Sequence, residues 1–406
     1  MTRDTLLMYC QHSLGLGHLK RSWALAAALA ADFRVVLLTG GAKPSGLKPP
    51  PSVEIVELPP LAQDVDGGLV SLDAARSVDE ACAARATAIQ ETFRALSPAV
   101  LMIELFPFGR RKFGGELVPL LDAALRAERL VVSSVRDILV DRGADQQHHD
   151  ERARAIVDRY FDAVLVHADP RVAVLEDSFR PRMPLAAPVH YTGYVIGEPH
   201  ASATAADRRA ILVSAGGGRY GEPLVRAAME ASTHVRSACG LRMTIVAGPL
   251  CPDATWSWLQ AAAADRPDVQ VERVVPDLPV RLQRAAASVS QCGYNTALEI
   301  LASGVPALVV PFAEGGENEQ ATRARRLEQM GAVRVLGSDR LSGSVLAAEI
   351  LETLRFRPAP QSIDMNGAGR TAQLVSALLH DKERGSKRVA RDSQSRQATL
   401  KGSPYV

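Results

Sequence analysis

Apolar runs of four to eight residues, rich in branched side chains and separated by helical patterns, constrain this chain's fold more than any other feature. In the first half they read "TLLMYC", "RVVLLTGG", "VEIVELPPL", "AVLMIELF", "RLVVSSVRD" and "DAVLVHAD". Strands buried on both faces have this continuous character, whereas half-exposed strands alternate. The segments between them, such as Leu72 to Leu96 and Gly115 to Ala127, are amphipathic. A parallel sheet wrapped by helices satisfies both patterns, which predicts one doubly wound α/β domain. Pro184 to Arg209 is rich in Pro, Gly, Ala and polar residues without a sustained period, as a linker is. The alternation then restarts with "AILVSAGGG", "LRMTIVAGP", "VQVERVV", "AASVSQCG", "PALVVPF" and "AVRVLG". The expected organisation is a first Rossmann-like domain over residues 1–197, a second over 208–360, and a C-terminal helix over 361–380. For 381–406, with seven Lys/Arg against three Asp/Glu and no apolar period, a disordered tail is expected.

Ligands of such sheets bind where strands end and helices begin, so two domains facing each other create a cleft between two such edges. The rest of the composition narrows what enters it. A net charge of +2 over 406 residues does not suggest a nucleic-acid surface. The five cysteines are scattered, with no zinc or redox spacing, which fits a reducing compartment. No cleavable leader opens the chain, and "WALAAALAA" is too short to span a bilayer. The expectation is a cytoplasmic protein without a transmembrane segment, peripheral membrane contact remaining open.

The first strand leads into "HSLGLGHLKRSWALAAAL". Gly15 and Gly17 permit a tight strand-to-helix turn, and His18 falls in the first helical turn. A helix N-terminus disfavours imidazolium, so His18 is expected to be neutral near pH 7 and able to act as a general base. A hydrogen bond to a neighbouring loop is the plain alternative. A dinucleotide fingerprint is disfavoured, because Lys20 stands at the third glycine position and no acid follows the second strand.

The segment Gln291 to Gly331 suits a nucleotide diphosphate sugar. The turn Gly293, Asn295, Thr296 would direct backbone N–H groups at a diphosphate, and Glu299 one turn later could accept from ribose hydroxyls. "TALE" is equally a capping box, with Thr296 capping and Glu299 reaching back. Glu319 and Gln320 begin another helix with the mixed acid and amide chemistry that sugar hydroxyls accept, although acids are common at helix starts. Gly216, Gly217 and Gly218 followed by Arg219 form a candidate diphosphate clamp, or simply a tight turn.

At these residues the chain resembles the two-domain GT-B glycosyltransferases, most closely the MurG-type enzymes. The resemblance implies that His18 is a base or acceptor-site residue, that Glu299 binds ribose, and that Glu319 and Gln320 contact the donor sugar. It also implies that the helix start at Asn295 and Thr296 holds the diphosphate, and that Val274 and Val275 contact the base through their backbone. Gln291 stands where retaining relatives carry the first glutamate of an E-x7-E pair, which favours inversion. The implied reaction moves a hexose or N-acetylhexosamine from a UDP-linked donor to a small-molecule or lipid-linked hydroxyl acceptor, with no cofactor and no metal. A nucleotide-sugar epimerase or hydrolase, or a non-catalytic nucleotide-sugar-binding protein, are the competing readings.

Two segments depart from the MurG pattern: "HSLGLGH" lacks its run of adjacent glycines, and "LFPFGRRKF", Leu105 to Phe113, replaces its glycine-rich acceptor loop. Phe108 and Arg110 are therefore taken as acceptor-loop residues with Gly15 and Gly17, and a lipid contact through the aromatic and basic mixture remains open. Glu104, at the end of a buried strand, either orients His18 or binds acceptor, or else pairs with Arg110 or Arg111. "DVD" at Asp64 to Asp66 reads as a solvated acidic turn rather than a cation site, and His148 and His149 as a polar surface.

Overall fold

The computed structural model describes residues 3–12, 17–42, 48–64, 67–197, 210–312 and 318–401, with side chains as far as 385. Its first unit runs β1 (Thr5–Cys10), α1 (Gly17–Leu29), β2 (Arg34–Thr39), β3 (Glu54–Glu57), the hairpin β4 (Leu61–Gln63) and β5 (Leu69–Ser71), then α2 (Val78–Leu96) and β6 (Val100–Glu104). It continues with α3 (Gly114–Arg126), β7 (Leu130–Arg136), α4 (Gln146–Tyr160), β8 (Ala163–His167) and β9 (Val189–Tyr191). The second comprises β10 (Ala210–Ser214), α5 (Glu222–Cys239), β11 (Arg242–Val246), α6 (Asp253–Ala263), β12 (Val269–Glu272), α7 (Leu278–Arg284), β13 (Ala287–Ser290), α8 (Tyr294–Ser303), β14 (Ala307–Val309), α9 (Glu319–Gln329), β15 (Arg334–Val335) and α10 (Gly343–Arg355). A final helix, α11, spans Gly367–Lys401.

Both sheets are parallel throughout, in the orders β3-β2-β1-β6-β7-β8-β9 and β12-β11-β10-β13-β14-β15. The apolar runs have their physical explanation in β1. Leu7 and Tyr9 enter one core while Leu6, Met8 and Cys10 enter another, and all five are wholly buried. In each sheet the chain reverses its direction of winding at the first strand, so the carboxyl ends of β1 and β6, and of β10 and β13, lie side by side at a switch point.

Two features differ from the sequence reading. The stretch expected to be linker contributes β9, a seventh strand of only three half-buried residues, and Val195 of the same stretch bridges to Asn366. The C-terminal helix continues to Lys401, where disorder is expected. Ala372, Val375 and Leu379 of α11 pack beneath Leu6, Leu25 and Met8 of the first unit, and Lys382 reaches the Asp162 carboxylate at 2.7 Å. That anchor carries the helix beyond its apolar stripe, and the residues that follow are mostly good helix formers.

Several contacts join the two units. The Tyr294 hydroxyl donates to the His167 carbonyl at 3.0 Å and accepts from the Val195 amide at 3.1 Å. Arg323 of α9 makes a two-pronged ion pair with Asp137, just past β7, at 2.8 and 2.7 Å, and both side chains are buried. Such a pair crosses the boundary only because each charge neutralises the other, since an unpartnered ion there would carry a large desolvation cost.

Candidate active site

A cavity of about 850 Å³ lies between the two units, lined from one side by Gly17, His18 and Arg110 and from the other by Gly217, Arg219, Thr296 and Glu299. The switch points of both sheets open into it. The sequence-derived residues Gly216, Gly218, Val275, Gly293, Asn295, Glu319 and Gln320 also line it. Gly15 lies outside the described residues.

On the first wall, His18 stands in the opening turn of α1 and Glu104 ends β6, the strand beside β1. Glu104 is wholly buried, and one carboxylate oxygen receives His18 Nδ1 at 2.6 Å and Arg21 Nη2 at 2.5 Å. Arg110 reaches the other oxygen at 3.3 Å. The sequence left open whether Glu104 orients the histidine or pairs with an arginine; it does both, and Arg111 is not among its partners. Because an ionised carboxylate only accepts, the imidazole hydrogen sits on Nδ1, leaving the Nε2 lone pair for the cavity. Burial pushes the His18 pKa down to about 3; Glu104 pulls the other way, and Arg110 and Arg21 reinforce the depression. Neutrality therefore arises chiefly from desolvation rather than from the helix terminus invoked by the sequence reading. Burial alone would raise the Glu104 pKa, but His18 and the two arginines hold it far below the usual carboxylate range.

Arg21 is the residue that sequence reasoning missed here. It is 2% exposed, it contacts Glu104, and its guanidinium lies 5.1 Å from the centre of the Tyr294 ring, which belongs to the second unit. One turn after His18 in an amphipathic helix it reads as an ordinary surface cation.

Phe108 requires a correction. It is 2% exposed and packs edge-on against Phe179 with ring centres 4.9 Å apart, so it belongs to the core rather than to an acceptor surface. Phe106 and Phe113 are buried as well, which removes the aromatic half of the lipid-contact reading. The loop they anchor holds Leu105 and Arg110 at φ of 64° and 59°, values that cost non-glycine residues energy and are maintained here by that packing and by the Glu104 pairing.

On the opposite wall the capping-box reading of "TALE" does not hold. The N-cap of α8 is Gly293, with no side-chain cap, and Thr296 already lies inside the helix. The first-turn amides are thus left for an outside acceptor, the arrangement that makes a helix start an anion site. Gly216 and Gly218 have φ of 58° and 90°, and a Cβ on Gly218 would come within 2.5 Å of the Ala247 carbonyl, so these two are required by the turn itself. A Cβ on Gly217 would meet nothing within 4 Å, which leaves its backbone facing the cavity.

Glu319 and Gln320 are more engaged than the sequence suggests. Gln320 Oε1 accepts from the Cys292 and Phe312 amides at 3.0 and 3.2 Å, which leaves its amide nitrogen for a ligand. The Glu319 carboxylate is held by Arg136 from across the cleft at 2.5 Å and by Arg323 at 2.9 Å. Gln291 donates to the Tyr220 carbonyl at 3.0 Å. Asp64 accepts from the Gly68 amide in a local turn, while Asp66 lies outside the described residues. His149 is buried against Asp150 rather than on the surface, with His148 beside it exposed. No cluster of potential metal ligands occurs among the described residues, and none of their helices is long and apolar enough to cross a membrane.

Two Rossmann-like sheets facing each other across a cleft, with an α8-type helix start on one wall, define the GT-B fold. Residues 255–378 match the glycosyltransferase family 28 C-terminal domain. It is 29% identical over 151 residues to the UDP-N-acetylglucosamine–N-acetylmuramyl-(pentapeptide) pyrophosphoryl-undecaprenol N-acetylglucosamine transferase of an Exiguobacterium species, a match covering 37% of this chain and 41% of the relative. The chain thus matches less than half the length of that curated relative. In fold it is similar to Acinetobacter baumannii MurG (TM-score 0.58, 17% identity, 92% of this chain and 99% of the other). It is equally similar to a UDP-N-acetylglucosamine 2-epimerase of Listeria monocytogenes described as putative (TM-score 0.58, 14% identity, 93% and 96%).

Proposed function

We propose that this protein is a glycosyltransferase that moves a hexose or N-acetylhexosamine from a UDP-linked donor to an acceptor hydroxyl, with inversion and without a metal ion. The observation that carries the reading is the pairing of a neutral His18–Glu104 dyad on one wall with an uncapped α8 start on the other.

The step balances on these residues. His18 Nε2 takes the acceptor proton as the acceptor oxygen forms its bond to the anomeric carbon. The bond from that carbon to the diphosphate breaks, and its electron pair leaves with the diphosphate. Amides of the α8 first turn and the Arg219 guanidinium stabilise that charge, while Glu104 stabilises the imidazolium through Nδ1. Burial, with the two arginines, holds the His18 pKa well below the usual imidazole range. A bound diphosphate brings compensating negative charge into the same low-dielectric space and raises its proton affinity for the reaction. The carboxylate of Glu299 is assigned to ribose, and Glu319 with the Gln320 amide to sugar hydroxyls.

The test is His18→Ala, assayed for turnover and, by calorimetry, for UDP binding. A loss of at least a hundredfold in kcat with UDP affinity kept within about twofold is expected for a base. Unchanged turnover removes the dyad from the mechanism. The epimerase reading is kept because the same fold accommodates a protein so described, and it predicts an altered UDP-sugar formed with no acceptor present.

A further inference from the structure

Helix α8 begins with a side chain that reaches out of its own unit. Tyr294 is its first residue, directly after the Gly293 cap, and is 6% exposed. Its hydroxyl donates to the His167 carbonyl at the end of β8 at 3.0 Å and accepts from the Val195 amide, past β9, at 3.1 Å. Both partners are backbone groups, which cannot follow a displaced helix as a flexible side chain would. Burial raises the phenol pKa above its ordinary value, so the hydroxyl keeps the hydrogen it donates. The ring centre lies 5.1 Å from the Arg21 guanidinium, which holds Glu104, and 5.9 Å from that of Arg323, which holds Asp137 and Glu319. Tyr294 is thus within cation–π reach of the His18 cluster and of the cluster assigned to the donor sugar. Asn295, the next residue, makes a second and separate tie. Its side-chain amide donates at 3.2 Å to the carbonyl of Gly17, which opens α1 directly before His18. Two successive residues of one helix start are therefore bonded to different elements of the first unit.

We propose that Tyr294 is a positioning residue: with Asn295 it fixes the α8 start on the first unit and so sets the separation between the amides that hold the diphosphate and the imidazole that takes the acceptor proton. The proposal rests on the transferase reading, which gives that separation its meaning. In-line displacement needs acceptor oxygen, anomeric carbon and leaving oxygen aligned, and a misplacement of about 1 Å costs about a hundredfold in rate. The two reactive walls belong to different sheets, so neither sheet imposes that alignment alone. A shift of α8 across the interface breaks both bonds of the hydroxyl and strands a buried carbonyl and a buried amide, which opposes the shift. Removal of the hydroxyl should therefore loosen the alignment while leaving the donor groups in place, since the α8 amides, Arg219 and Glu299 all belong to the second unit.

The experiment compares Tyr294→Phe, which keeps the ring and removes the hydroxyl, with wild type in the full chain. Calorimetry gives UDP affinity, and steady-state release of UDP from UDP-N-acetylglucosamine gives kcat and KM. Hydrogen exchange by mass spectrometry follows the peptide containing Val189–Val195, which does not line the cavity. The variant's kcat should fall at least about tenfold with UDP affinity kept within about twofold. UDP should slow exchange of that peptide in wild type, because a ligand that steadies α8 steadies the hydroxyl bonded to Val195, and should not do so in the variant. A merely structural role predicts a lower unfolding temperature with kcat unchanged, and that result overturns the proposal. A loss of UDP affinity as large as the loss of kcat also overturns it, by making Tyr294 part of the donor site itself. Should wild type release no UDP while bound UDP protects the peptide only when the hydroxyl is present, the registration stands and the transferase reading falls. Absence of UDP binding to wild type removes both.

Discussion

Acidification from about pH 7.5 to about pH 5 should remove about 2 kcal/mol of stability for each of two histidines, His18 and His167. His167 is wholly buried and His18 is 19% exposed at the cavity wall, and burial pushes each pKa down to about 3 from an ordinary value of 6.5. His167 is wholly buried between the hydroxyls of Ser134 and Thr192, each 2.8 Å from a ring nitrogen. Because the folded pKa lies below the unfolded one, the unfolded chain binds a proton that the folded chain refuses between those values. The stabilisation is therefore complete above about pH 6.5 and is lost as pH falls toward 3, at about 1.4 kcal/mol per unit for each ring. About 1.5 units below the unfolded pKa gives the stated figure. The buried carboxylates Glu104 and Asp137 are held low by their cationic partners and lose their contributions only below the ordinary carboxylate range, a separate window.

Urea denaturation across that pH series, with reversibility confirmed, measures the slope. His167→Gln should flatten it by about 2 kcal/mol over the interval whatever its effect on absolute stability, because the variant has no proton to bind. A slope identical to wild type, or an imidazole resonance of His167 titrating near 6.5, would refute the account. The same neutrality predicts that kcat/KM shows no acid limb near pH 6.5 from His18.

Asp137→Ala should cost up to about 3–5 kcal/mol, because it leaves the buried Arg323 cation with only Glu319, a carboxylate it shares with Arg136; Asp137→Ala/Arg323→Met should recover most of that in thermal unfolding, and failure to recover would show that the pair does more than neutralise itself. Glu299→Ala should weaken UDP binding about tenfold while leaving pyrophosphate binding unchanged, by calorimetry, if its carboxylate holds ribose hydroxyls. Turnover in excess EDTA should be retained, and its abolition would count against metal-free transfer.

What the sequence reveals and what it conceals divide along one physical line. Continuous apolar runs report strands buried on both faces, so every long strand was legible; β9 was not, because three half-buried residues in a proline-rich stretch carry no period. The histidine opening α1 and the acid ending β6 were legible because each is a local anomaly, a polar group beside or inside an apolar run. Phe108 misled because its neighbours are cationic, yet a loop residue with a core aromatic within reach turns inward. The cations were hardest. Arg21 owes its burial to a carboxylate 83 residues away, and Arg323 pairs with an acid 186 residues away, so neither differs in sequence from a solvated arginine. Their partners become foreseeable only once strand order is known. Placing β6 beside β1 forces whatever ends β6 to meet the first turn of α1, and the arginine one turn further must then either approach the same carboxylate or be excluded from the core. Topology, rather than any local motif, turns three scattered polar residues into one hydrogen-bonded cluster, which is why a family resemblance located the histidine but not the arginine beside it.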